Sequence, residues 1–169
     1  MSKITISVPS SVANVSCGFD VLGFCLEKPC DEMTVEIKKS QGLDIEIINE
    51  KSIPTNPKEN VCGAVAFAMI KKLNFKYGFK IKITKNIKPG SGIGSSAASA
   101  AGIAFAINQL TGNKFSKLEL VKYAMYGEEN IMFPLTMFTN NSDDEKLDRV
   151  NNCLKRVNLQ NCNNLKISE

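Results

Sequence analysis

An α+β domain is the fold class that this 169-residue sequence predicts. Three observations carry it. Strand-like alternation fills much of the first fifty residues, and helical spacing begins near residue 61. One further alternating segment then separates the helical stretches. Strands first, then helices interleaved with a late strand, fit α+β better than a doubly wound α/β sheet. The 43% hydrophobic and 22% charged content is that of an ordinary globular protein. The length suits one packed domain, with or without an appendage.

Each element has its own signal. Ile4, Ile6 and Val8 alternate with Thr5 and Ser7 as a first strand, which Pro9 is expected to end. A turn-rich stretch over 10–18 precedes an apolar run over 21–26. Met33, Val35 and Ile37 alternate with Thr34, Glu36 and Lys38 as a second strand. Residues 43–48 alternate likewise, with Asp44 and Glu46 outward. Pro54 and Pro57 mark a loop, after which Val61, Val65, Ala68, Met69 and Leu73 fall at helical spacing. Phe79, Ile81 and Ile83 against Lys80, Lys82 and Thr84 make the clearest half-buried strand. A glycine-rich loop follows, then a small-residue helix over about 94–110 and another helix over 117–126.

Composition excludes several chemistries. There is no histidine, so Ser-His-Asp and Cys-His nucleophilic systems, HExxH zinc sites and a histidine general base are ruled out. Tryptophan is absent and aromatics are 7%, which leaves little for base stacking. The net charge of +4 is spread along the chain, so it argues weakly for nucleic acid and equally well for an anionic small molecule. The six cysteines, at 17, 25, 30, 62, 153 and 162, have no C-x-x-C spacing and read as separate thiols of a reducing compartment. No secretory leader is expected, because Lys3 is followed by an alternating strand. The longest uncharged run, 89–113, is dominated by Gly, Ser and Ala and reads as a buried helix, not a membrane span.

A seam is expected at residue 130. All 11 glycines lie before it, while 130–169 is rich in asparagine and holds both arginines, Arg149 and Arg156. Ser142 followed by Glu145 forms a capping box, and Leu147, Val150, Leu154 and Val157 then share one face, predicting an amphipathic helix over 143–158.

The most informative stretch is Pro89-Gly90-Ser91-Gly92-Ile93-Gly94-Ser95-Ser96-Ala97-Ala98, between a strand and a helix. Glycines at alternate positions let the backbone take positive φ and turn successive N–H groups to one side. The following helix offers unpaired N-terminal N–H groups and the positive end of its dipole, which suits a phosphate. Ser95 and Ser96 add hydroxyls able to bond phosphate oxygens or ligate Mg²⁺. No lysine follows Gly94, so this is not a Walker A loop. Its G-x-G-x-G spacing is not the dinucleotide fingerprint either. A glycine-rich turn that only lets a helix pack closely remains the plain structural alternative.

This stretch resembles the ATP-phosphate motif of the GHMP kinases. Val8-Pro9-Ser10-Ser11-Val12-Ala13-Asn14, with Cys17-Gly18-Phe19-Asp20-Val21-Leu22-Gly23, is similar to the start of the homoserine kinases within that family. The Asn60-Val61 pair and Tyr126-Gly127-Glu128 match as well. The resemblance runs from about residue 3 to 128 and ends where the family continues with an S-G-x-x-H-A-D-N segment, in place of which Glu129-Asn130-Ile131-Met132-Phe133-Pro134 stands.

The resemblance implies a GHMP kinase N-terminal ATP-binding domain over 1–129, a ribosomal-protein-like mixed sheet packed on helices. It also implies a divergent tail over 130–169 and a missing C-terminal domain. The tail is either accidental sequence after a truncation or frame shift, or a genuine short module. Carried over by position, Ser96 and Glu128 are the catalytic, Mg²⁺-holding pair. Gly90, Ser91, Gly92, Gly94, Ser95 and Ser96 form the cradle for the ATP phosphates. Asn60 and Lys85 lie in the nucleotide-base region, and Asn14 and Asp20 on the substrate side. The implied activity is ATP- and Mg²⁺-dependent phosphorylation of the L-homoserine hydroxyl to O-phosphohomoserine, in threonine biosynthesis in the cytoplasm. The implied partner is a small molecule, with no nucleic acid and no membrane, and a homodimer is allowed. The alternative is an inactive fragment that at most binds nucleotide.

Overall fold

The computed structural model describes residues 2–13, 15 and 23–130. The tail expected over 130–169, with its helix over 143–158, lies outside these, apart from the backbone of Asn130. In chain order the elements are β1 (Lys3–Val12), β2 (Phe24–Lys38), β3 (Leu43–Ile48), α1 (Val61–Leu73), β4 (Gly78–Thr84), α2 (Ser95–Leu110) and α3 (Lys117–Asn130).

The strands form one sheet in the order β1-β2-β4-β3. β1 and β4 both run antiparallel to β2, while β3 runs parallel to β4. The sheet is mixed because the chain crosses over through α1 between β3 and β4.

Alternation along each strand becomes rows across the sheet. Ile4 faces Val35, Val35 faces Ile81 and Ile81 faces Ile45; Ile6, Met33, Ile83 and Ile47 make the next row. Eight inward side chains thus form one apolar face, and most are fully buried. The opposite face carries Lys3, Glu36, Lys80 and Asp44 in one row, with charges alternating in sign. Thr5 and Thr34 hydrogen bond in the neighbouring row at 2.9 Å, and Lys82 reaches Glu46 at 3.5 Å. That face is solvated, as alternating like-sized charges require.

Two strand boundaries differ from expectation. β1 does not stop at Pro9 but continues to Val12. Proline is tolerated there because β1 is an edge strand and its register with β2 shifts between Pro9 and Ser11. β2 begins at Phe24 rather than near Met33, so Phe24, Cys25 and Leu26 of the apolar run belong to a long strand.

α2 lies on β1 and β2, with α1 and α3 packed over it and α1 reaching β3. It is buried nearly all round, which is why it is built of Ala, Gly, Ser and Ile. A Cβ on Gly102 would come within 2.7 Å of Val8 Cγ2, so this glycine sets the distance between helix and sheet. α1 starts on an Asn60 cap and ends at Asn74 in the left-handed conformation, φ 49°. α3 starts on a capping box: Ser116 N–H donates to Glu119 Oε2 at 2.9 Å. In return, Glu119 N–H donates to Ser116 Oγ at 3.4 Å. α3 also runs past Tyr126 to Asn130, which puts Glu128 inside its last turn. No helix among the described residues is long and apolar enough to cross a membrane.

Candidate phosphate and cation site

The chain leaves β4 at Thr84 and enters α2 at Ser95 through a loop that uses its glycines as expected. Gly90, Gly92 and Gly94 have φ of 73°, 77° and 72°, the left-handed region that side chains disfavour. A Cβ on Gly90 or Gly92 would meet nothing within 4 Å, so both face open space. A Cβ on Gly94 would sit 2.7 Å from Ser11 Oγ. Ser11 N–H also donates to Ile93 C=O at 3.0 Å, which docks the loop against the end of β1.

Gly94 is the N-cap of α2 and offers no side-chain cap, and the first turn holds no acidic residue. The positive end of the α2 dipole is therefore left to be met by something outside the helix. The loop hydroxyls divide their work. Ser91 Oγ donates to Lys88 C=O at 2.6 Å and Ser95 Oγ to Ile87 C=O at 3.0 Å, so both shape the loop. Ser96 Oγ turns away from the loop and donates to Glu128 Oε2 at 3.0 Å.

That last bond joins the start of α2 to the end of α3. Glu128 sits in the last turn of α3, and no basic residue lies in that turn. A carboxylate at the negative end of a helix dipole is unfavourable unless a cation faces it. A hydroxyl and a carboxylate beside an anion cradle are hard oxygen donors, and Mg²⁺ suits one or two such ligands together with substrate phosphate oxygens. Among the described residues no cluster of three or more His, Cys, Asp or Glu competes as a metal site.

α1 reaches the same place. A Cβ on Gly127 would lie 2.4 Å from Val65 Cγ2 and 3.3 Å from Val61 C=O, so α3 crosses against the first turns of α1 next to Glu128. Asn60 begins that helix, 3% exposed, accepting from Cys62 N–H at 2.9 Å and donating to Pro54 C=O at 2.6 Å. Its side chain is thus spent on the chain itself. Lys85 is buried beneath the loop, paired with Asp31 and bonded to Ser95 C=O and Ser99 Oγ, each at 3.2 Å. Burial pushes the Cys62 thiol up to about 12, so it stays a thiol, its Sγ donating to Ser99 C=O at 3.6 Å. The structure therefore brings together Gly90, Ser91, Gly92, Gly94, Ser95, Ser96, Glu128 and the α1 start at Asn60, with Lys85 below them. Asn14 and Asp20 lie outside the described residues, although Ser11, three positions before Asn14, touches the loop.

Known proteins resemble this chain in sequence and in fold. Residues 60–133 match the model of the GHMP kinases N terminal domain. The chain carries a GHMP kinase N-terminal domain. It is 48% identical over 130 residues to a homoserine kinase of Methanococcus maripaludis, an alignment covering 76% of this chain and 43% of that protein. A homoserine kinase of Chloroherpeton thalassium is 39% identical over 140 residues, with 76% and 44% covered. The crystal structure of homoserine kinase from Cytophaga hutchinsonii superimposes with a TM-score of 0.79 at 34% identity, over 91% of this chain and 46% of that one. Lactococcus lactis galactokinase shares the fold, with a TM-score of 0.65 at 14% identity, over 86% and 41%. The chain thus spans less than half the length of the curated relatives it matches.

Residues around this site that sequence reasoning misses are Ser11, Asp31 and Ser99. Asp31 carried a usable signal. It extends the inward register of Met33, Val35 and Ile37, as Lys85 extends that of Phe79, Ile81 and Ile83. Met33 pairs with Ile83 in antiparallel register, so two steps on Asp31 lies opposite Lys85.

Proposed function

We propose that this chain supplies the ATP-binding, phosphoryl-transferring part of a homoserine kinase. The reaction moves the γ-phosphoryl of ATP to the side-chain hydroxyl of L-homoserine, giving ADP and O-phosphohomoserine. The observation that carries this reading is the junction of an open glycine cradle, an uncapped α2 start and the Ser96–Glu128 contact, in a chain 48% identical to a homoserine kinase.

In this reading residues 1–129 are the nucleotide-binding unit and 130–169 a divergent tail. The backbone N–H groups around Gly90, Gly92 and Gly94 and the first turn of α2 receive the β- and γ-phosphates. Ser96 and Glu128 would hold Mg²⁺, which neutralises phosphate charge when bound. Asn60 borders the nucleotide base, whereas Lys85, for which the resemblance implies the same region, is buried on Asp31, Ser95 and Ser99 and is read as supporting the loop from below. Asn14 and Asp20 take the substrate side, where a carboxylate at Asp20 would pair with the amino group of homoserine. Phosphoryl transfer through a loose transition state relies on positioning and charge neutralisation. The absence of histidine therefore does not disqualify the chain from it. The enzyme is read as cytoplasmic, acting on a small molecule in threonine biosynthesis, without nucleic acid or membrane and with a homodimer allowed.

A coupled assay with ATP, Mg²⁺ and L-homoserine tests this against a Glu128→Ala control. Turnover that depends on homoserine and on Glu128 supports the reading, and turnover equal to the control overturns it. ATP binding without turnover assigns the chain as a nucleotide-binding fragment instead.

A further inference from the structure

The phosphate loop is closed at its base by a single buried ion pair. Asp31, in the middle of β2 one position beyond its ladder with β4, and Lys85, just after β4, have side chains 1% and 2% exposed. Each hydrogen-bonding atom of the pair is used, and almost all of them serve the loop. Asp31 Oδ1 accepts from Asn86 N–H and Ile87 N–H, both at 2.8 Å, which fixes the strand of chain entering the loop. Asp31 Oδ2 accepts from Lys85 Nζ. Lys85 Nζ also donates to Ser95 C=O and to Ser99 Oγ, which fixes the chain leaving it. Ser95 Oγ then donates back to Ile87 C=O, joining exit to entry.

A buried ion pair is a poor source of stability, because taking both charges out of water offsets most of their attraction. An apolar pair would fill the same space between β2 and β4. What an apolar pair cannot do is bond two N–H groups on one side of a loop and a carbonyl on the other. The three left-handed glycines of 88–94 make that loop intrinsically free, so beside the bonds of Ser91 to Lys88 and of Ser11 to Ile93 its shape depends on how its two ends are held. Fixed donors receive a phosphate well only when they are held before it arrives.

We propose that Asp31 and Lys85 are a positioning pair that holds loop 88–94 in its phosphate-receiving shape. The proposal rests on the reading of the loop as an ATP-phosphate cradle, and it concerns residues that touch no phosphate themselves. Its signature is a loss specific to the phosphates, with the adenosine end of the nucleotide untouched.

The test uses the full chain with Asp31→Asn and with the double variant Asp31→Asn/Lys85→Met. The double variant leaves no unpaired buried charge and so keeps the test available if the single variant fails to fold. Calorimetry with ATP and with adenosine is run beside amide hydrogen exchange over 88–94. We expect ATP affinity to fall by about tenfold or more, the scale of a loop displaced by an ångström or less. Adenosine affinity should be unchanged, and exchange should quicken in 88–94 while β1, β2 and β4 stay protected. A folded double variant with wild-type ATP affinity, or with ATP and adenosine weakened equally, overturns the proposal. If the wild-type chain shows no preference for ATP over adenosine, the cradle reading itself fails. The exchange rates of 88–94 still decide then whether the pair holds the loop.

Discussion

Ser96 at the first turn of α2 and Glu128 in the last turn of α3 meet through a 3.0 Å hydrogen bond, although 32 residues separate them in the chain. The contact sets a carboxylate from the negative end of one helix beside the positive end of another. Two opposite local fields a few ångströms apart suit a ligand that is itself an anion carrying a cation. The geometry yields a direct expectation. Ser96→Ala and Glu128→Gln leave the core intact, since neither side chain belongs to it. Each should lower homoserine-dependent turnover by about a hundredfold, the scale of losing one charge-stabilising group. The unfolding midpoint in urea without nucleotide should stay within error of wild type. Large loss of stability in both variants would count against a ligand-binding role for the pair.

The loop glycines separate backbone strain from steric conflict. Gly92→Ala places a methyl in open space at φ 77°, so its folding cost is left-handed strain alone, about 1 kcal/mol. That methyl enters the proposed cradle, and ATP affinity should fall by roughly tenfold or more. Gly94→Ala adds a clash with Ser11 Oγ at 2.7 Å to strain of the same kind. It should cost roughly 1–3 kcal/mol and loosen the loop from β1. Urea unfolding ranks the two, and a Gly92→Ala variant that binds ATP as wild type does would remove Gly92 from the cradle.

The start of α3 carries a pH dependence with a definite sign. Hydrogen bonds from Ser116 N–H and Oγ hold the Glu119 carboxyl below its ordinary value of 4.5. A carboxylate whose folded value is depressed contributes stability above its unfolded value, and that contribution is lost as pH falls through the folded one. Glu119→Gln should therefore lower stability modestly at pH 7 and converge on wild type at pH 3, because glutamine can still accept from Ser116 but lacks the charge that strengthens those bonds. Chemical denaturation at pH 3, 5 and 7 measures this, and parallel curves for variant and wild type would overturn the assignment.

The parts of the molecule legible in sequence were those built by local rules. β4 could be read because Phe79, Ile81 and Ile83 alternate with charges, and α2 because a glycine loop leads into a run of alanines. The glycine-rich loop over 88–94 could be read because its left-handed turns admit little besides glycine. The end of β1 was misjudged because proline on an edge strand at a register shift breaks no ladder, and edges are a property of the sheet rather than of the segment. Asp31 was missed for a related reason. Its inward direction follows from alternation, but its partner is set by the pairing of β2 with β4, 54 residues apart. Ser96 and Glu128 were paired through family likeness, since nothing in their spacing says that α2 and α3 bring them together.

Asn108 offers a control in which stability and ligand binding should part company. It lies in the buried face of α2, 5% exposed, near the end opposite the phosphate loop. Its Oδ1 accepts from Phe115 N–H at 2.9 Å and its Nδ2 donates to Phe115 C=O at 3.1 Å. One side-chain amide thus satisfies both backbone groups of a buried loop residue, doing there what a strand neighbour would do. Asn108→Ala strands both groups, and a stranded buried donor or acceptor costs about 1–3 kcal/mol, so a loss of several kcal/mol is expected. Asn108→Asp keeps the acceptor for Phe115 N–H but sets a carboxylate against Phe115 C=O. It should therefore be no better tolerated near neutral pH and should improve as pH falls and the carboxyl gains a proton to donate. Neither substitution touches the loop, Ser96 or Glu128. Under conditions where the variants remain folded, their ATP affinity should match wild type, while variants at Gly92 should show the converse pattern. Loss of ATP affinity in folded Asn108→Ala would mean that the far end of α2 is coupled to the phosphate loop, and that the helix transmits strain along its length.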